Sequence, residues 1–118
     1  MVDLNRMIQT LKRHPDSHKM GMLASHLGVV RGTSLDGRKV SGVKVSFHEN
    51  IVENIINDIK NMPGIIDVMV EVSGGSLKVG DEIMAVAVGG DTREHVFPAL
   101  IRAVDRIKAE GSQKSEQF

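Results

Sequence analysis

The chain has no cysteine, tryptophan or tyrosine among its 118 residues, and only three phenylalanines and three prolines. Without cysteine there is no disulfide, no thiolate zinc site, no cysteine-ligated iron–sulfur cluster and no thiol nucleophile. An aromatic share of 3% disfavours base-stacking platforms and aromatic carbohydrate clefts. Net charge is also missing: 15 Lys and Arg balance 15 Asp and Glu. Such a chain is poorly suited to gripping nucleic acid through its phosphates, so RNA binding is the least supported reading. No apolar run approaches the roughly 20 residues of a membrane span. The N-terminus, MVDLNRMIQTLKRHPDS, carries charges where a secretory signal would have an apolar core. The expectation is a cytoplasmic protein with neither membrane nor nucleic-acid partners.

What is present is ordinary for a globular domain: 41% hydrophobic and 25% charged residues. The length suits one hydrophobic core. We read residues 1–110 as one domain and 111–118 as a polar tail, expected to be disordered. The neutral total hides an asymmetry. Residues 1–48 carry eight basic residues against three acids, and residues 49–118 carry seven against twelve. A basic first half could face an anionic small molecule or an acidic partner, unless the halves interleave and their fields cancel.

Leu4, Met7, Ile8 and Leu11 have helical spacing, and Pro15 ends that helix. Met20 to Val30 reads as a mostly buried strand with Gly28 as a bulge or close contact. Asp36-Gly37 signals a turn, and Val40 to Phe47 alternates like a strand with one wet face. Asn50 and Glu53 have capping-box spacing ahead of a helix carrying Ile51, Val52, Ile55, Ile56, Ile59 and Met62, which Pro63-Gly64 stops. Ile65 to Val72 is strand-like. Leu77 to Glu82 reads as a hairpin connection into a strand from Ile83 to Val88, with Gly89 and Gly90 as the turn after it. Asp91 and Glu94 have cap spacing for a last helix with Val96, Phe97, Leu100, Ile101, Val104 and Ile107 as its apolar stripe. Pro98 inside it costs ~3 kcal/mol unless the helix starts late or kinks. The class is α+β, helices on a largely antiparallel sheet.

Few residues suggest chemistry. His14 and His18 are four apart, but Pro15 between them argues against a helical metal pair, and no metal site is expected. His26 falls in an apolar strand, where a hydrogen-bonded core histidine is the default. Lys108 shares a helical stripe with Phe97, Ile101 and Val104. Its stem either snorkels past the core edge, or its ammonium sits in a partly dry pocket suited to nucleophilic or acid–base work. Arg93 lies 15 residues earlier, ~22 Å along a helix. The two cannot converge on one small anion unless different protomers supply them. Arg31, between a strand and the loop RGTSLDGRK, is either an anion-binding fork or a solvated arginine.

Three segments together resemble a known family. GMLASHLGVVRG (21–32), LKVGDEIMAVAVGGDTREHVF (77–97) and IRAVDRIK (101–108) are similar, in order and spacing, to the large, catalytic subunit of molybdopterin synthase. The resemblance covers most of residues 14–108. It implies an α/β-hammerhead fold and a homodimer, and a heterotetramer once two small ubiquitin-like sulfur-carrier subunits insert their C-terminal Gly-Gly tails. It implies transfer of sulfur from the tail's thiocarboxylate to cyclic pyranopterin monophosphate, making the molybdopterin dithiolene, with no separate cofactor. By that resemblance Lys108 is the active-site lysine, Arg31 binds the anion, and Arg93 is the arginine of a His-Arg pair whose histidine is Thr92 here. Val72-Ser73 replaces a second such pair, His26 replaces a strand aromatic, and Ser115 stands where a second lysine is expected, with Lys114 one residue off. The alternative is a divergent homologue that binds and assembles without catalysing.

Overall fold

The computed structural model describes residues 2–118. Helix α1 (Leu4–Lys12) is followed by a short 3-10 turn and β1 (Met22–Val29), then β2 (Gly42–Phe47), α2 (Glu49–Lys60), β3 (Ile65–Val72), β4 (Gly75–Lys78), β5 (Glu82–Gly90), α3 (Arg93–Arg106), a π turn (Ile107–Gly111) and β6 (Ser112–Gln117). The α+β class stands, but there are two antiparallel three-stranded sheets rather than one, ordered β1-β5-β3 and β4-β2-β6.

The run Met84–Val88 is continuously apolar because β5 is central and covered on both faces. Met84, Val86 and Val88 pack with Val52, Ile55 and Ile59 of α2 and Val96, Ala99, Ala103 and Ile107 of α3. Ala85 and Ala87 face the other way, onto Met7 and Leu11 of α1. Small residues on that second face let α1 approach closely. Arg6 closes the edge of α1 with an ion pair to Glu71 of β3 at 2.5 Å.

Several expectations change. The tail expected to be disordered is strand β6, in register with β2 from Gly42↔Gln117 to Phe47↔Ser112. Its polarity suits an edge strand with its side chains in water. The connection from Leu77 to Glu82 turns tightly, with Gly80 at φ +91°, but joins no hairpin. β4 pairs with β2 and β5 with β1 and β3, so the chain changes sheets there. Asp36-Gly37 does turn, Gly37 having φ +91°, inside a loop closed by a Thr33–Lys39 bridge. The proposed capping box is absent: α2 is capped at His48 without a side-chain bond. β1 is half exposed rather than mostly buried, because it is an edge strand. Its irregularity does fall between Gly28 and Val29.

Gly89 and Gly90 are not a turn; they are the paired end of β5, opposite Leu23 and Met22. A Cβ on Gly90 would lie 2.6 Å from the Gly64 carbonyl oxygen and 2.7 Å from a Val96 methyl. Backbone cannot yield as a flexible side chain does. Gly90→Ala is therefore expected to destabilise the fold by about 1–3 kcal/mol, read as a lower urea midpoint. Gly37→Ala removes no packing and should cost less, through its positive φ alone.

Pro98 is accommodated without a late start, because α3 begins at Arg93 and runs on to Arg106. The carbonyl left without an N–H is that of Glu94, on an exposed first turn, where water can serve it. The apolar stripe of α3 also differs from expectation. Its core face is Val96, Ala99, Ala103 and Ile107, while Phe97 and Ile101 are 49% and 60% exposed.

Candidate functional site

Lys108 stands on the π turn after α3, and its position is built from several sides. Ile107, fully buried, anchors the turn in the core. The Ser112 hydroxyl donates to the Ile107 carbonyl at 3.1 Å. The His48 N–H donates to the Gly111 carbonyl at 2.8 Å, tying the turn to the start of α2. Arg106 bridges both helices, donating to Glu110 at 2.9 Å and to Asp58 of α2 at 2.7 Å. These hydrogen bonds, Glu110 first, hold the guanidinium pKa above its usual value. One turn of wide helix is thereby fixed, and such turns recur at functional sites.

Lys108 itself is exposed. Of the residues on its stripe, Phe97 and Ile101 are open while Val104 packs in the core, so the stripe is a core edge with an open apolar flank rather than the core face expected from periodicity. The snorkelling alternative describes the single chain better than the dry pocket does.

Arg31 follows Val30, which is buried and clamped to the β4–β5 turn: its N–H reaches the Asp81 carbonyl and its own carbonyl accepts from Gly80, both at 2.9 Å. Beyond Arg31 the loop is stiffened by Ser34, Asp36 and Arg38. The Ser34 hydroxyl donates to Asp36, and Arg38 donates to it at 2.9 Å. The Ser34 bond first, then the Arg38 N–H, lower the Asp36 pKa. Arg38 also stacks 3.8 Å over the Phe118 ring, so the end of the chain rests on this loop.

Topology decides which residues meet. α3 starts beside Gly90, at the end of β5, and runs back along β5 and β1. Its far end, with Lys108, therefore arrives over the half of β1 that leads to Arg31. Thr92 and Arg93 remain at the opposite end of α3. Thr92 is the N-cap but makes no side-chain bond, and Arg93 is exposed, with Glu94 at 3.5 Å. Within one chain Lys108 and Arg31 therefore lie toward one end of α3 and β1, and Thr92 and Arg93 toward the other.

Beside Thr92, Asp91 accepts from His95 Nδ1 at 2.7 Å and from the Thr92 N–H at 2.6 Å. The His95 bond is the main cause of a lowered Asp91 pKa. Asp91 therefore contributes stability that is present above the unfolded value of about 3.9 and lost as pH falls through its native value. Thermal melts of wild type and Asp91→Asn are expected to differ above about pH 4 and to converge in stronger acid.

His26 was the least legible residue. It lies opposite Val86 on the face of β1 that α3 covers. It is not a hydrogen-bonded core histidine: Nε2 is buried and has no partner. Burial first, then the positive charge of Lys108, lower its pKa. His14 is used in a turn, accepting from the Asp16 N–H at 3.0 Å.

The displaced second lysine can also be placed. On β6, Lys114 faces Val45 and Ser115 faces Lys44. Successive strand residues point to opposite faces, so Lys114 cannot occupy the space of residue 115. The ammonium on Ser115's face belongs to Lys44, a residue that sequence spacing gave no reason to select. Lys44 and Lys114 both line a concavity of about 540 Å³ on this sheet, with Ser76 and Ser115.

Among known proteins, the family model described as MoaE protein matches residues 1–110. Uncharacterized protein MJ0717 of Methanocaldococcus jannaschii is 31% identical over 94 residues, covering 76% of this chain and 79% of that protein. The solved molybdopterin biosynthesis MoaE protein of Burkholderia ambifaria superposes with a TM-score of 0.78 at 27% identity, over 98% of this chain and 79% of that one. A protein–protein complex of subunits 1 and 2 of the Helicobacter pylori molybdopterin-converting factor contains a chain with the same fold, at a TM-score of 0.72 and 14% identity, over 98% of this chain and 78% of that one.

Proposed function

Since the chain belongs to the MoaE protein family, we propose that it acts in molybdenum cofactor biosynthesis as the large subunit of molybdopterin synthase, pairing with a small sulfur-carrier subunit. The B. ambifaria relative is a molybdopterin biosynthesis protein, and the H. pylori structure joins two subunits. The first supports the biosynthetic role and the second a small-subunit partner.

In this reading the small subunit's Gly-Gly tail brings its thiocarboxylate to Lys108. The lysine assists sulfur transfer to cyclic pyranopterin monophosphate, by acting on the acyl carbon or by moving a proton. Arg31 holds the substrate's phosphate through its planar fork. Arg93, with Thr92, reaches the same site from a second protomer. The observation that carries the reading is the placement of Lys108 and Arg31 at one end of β1 and α3, with Arg93 at the other. A complete anion site then needs two copies. The exposed Phe97 and Ile101 flank supports a homodimer, since apolar side chains grouped on a surface suit a protein contact.

Incubation with a thiocarboxylated small subunit and the cyclic precursor tests this reading. Dithiolene product is expected. Stable small-subunit binding with no product would favour the assembly module instead.

A further inference from the structure

The imidazole of His26 poses a physical question. Its Nε2 is the buried side-chain nitrogen or oxygen without a partner among the described residues. A buried acceptor left unpaired costs free energy that an apolar residue would avoid. The face it occupies is apolar: Val86 lies opposite, and α3, which covers β1, buries Ala99, Ala103 and Ile107 in the same core as Val86. A Cβ at Gly28 would stand 3.4 Å from Nε2, so the glycine leaves the ring room without bonding it. No packing argument selects histidine here.

The far end of α3, which packs on β1, carries Lys108 toward this half of the strand, and the ring senses its positive charge. The lysine's flexible four-carbon stem and three donors start from a braced turn. In the single chain Lys108 is exposed. A protein tail laid over the lysine would exclude water and leave the ammonium in need of an acceptor.

We propose that His26 is a positioning residue for Lys108: its neutral imidazole, with the proton on Nδ1, offers Nε2 as the inward acceptor on which the lysine ammonium settles when the site is covered. The inference rests on the reading of Lys108 as the active-site lysine, and it adds the group that fixes where that nitrogen stands. A phenylalanine or leucine could fill the same volume but could not accept the bond.

Long-range ¹⁵N–¹H spectra of histidine-labelled protein bound to unlabelled small subunit, so that the site is covered, test the pairing without any turnover. An unprotonated Nε2 is expected, together with a His26 pKa that rises in Lys108→Gln, where the neighbouring charge is gone. A proton on Nε2, or an unchanged pKa in Lys108→Gln, overturns the proposal. With the small subunit added, His26→Leu should lower turnover about tenfold with KM unchanged, and His26→Gln, which keeps an acceptor, should recover most of it. Equal losses in the two variants would mean packing alone and also overturn it. If Lys108→Ala made product normally, the catalytic reading would fall, while the spectra would still decide whether the two residues pair.

Discussion

Replacing Lys108 with alanine is expected to lower dithiolene formation by about 10²–10⁴-fold or more, the lower range being that for a lost general acid or base. Small-subunit binding should survive. The fold should survive as well, because Lys108 is exposed and the turn beneath it is held by Ile107, Ser112 and Arg106. Unfolding midpoints of variant and wild type should therefore agree, which separates loss of chemistry from loss of structure. Lys108→Arg keeps the charge but not the compact amine. If the amine acts on the acyl carbon, arginine should rescue little. Coupled synthesis followed by product fluorescence reads both variants.

The second large effect concerns the end of the chain. Deleting residues 112–118 removes β6 and bares the edge of β2 from Gly42 to Phe47. It also takes away the Gln117 carbonyl, which accepts from the Ser41 N–H at 2.7 Å and its hydroxyl at 3.0 Å. At ~1 kcal/mol net for each hydrogen bond lost, the truncation should cost about 3 kcal/mol or more. The exposed edge should also promote association. Urea unfolding should show an earlier midpoint, and gel filtration larger species. A truncated chain with the wild-type midpoint would mean that β6 contributes nothing to the second sheet.

That strand shows where the sequence runs out. AEGSQKSEQF has no apolar alternation, so nothing in it signals pairing. It becomes a strand because β2, read correctly from Val43, Val45 and Phe47, offers it an edge. Likewise, β3 was legible to the residue, but its partner was not. Local pattern reports which faces are apolar, not which strand lies beside which, so one sheet was read where two exist. On α3, Phe97 and Ile101 look like core by composition. Only the small Ala99 and Ala103, which let the helix sit close to β5, reveal that the true core face is rotated from them. The site was partly legible for the same reason. Arg31, Arg93 and Lys108 could be chosen by residue type and resemblance, and helix length already separated the last two. His26 and Lys44 could not be chosen, because their relevance comes from neighbours across a sheet.

The account depends on one site being shared by two protomers. Mixing Lys108→Ala with Arg93→Ala protein, each nearly inactive alone, should restore about a quarter of wild-type synthesis once subunits exchange, since half of the dimers would be mixed and each would hold one intact site. Activity no greater than the average of the two separate variants would contradict it.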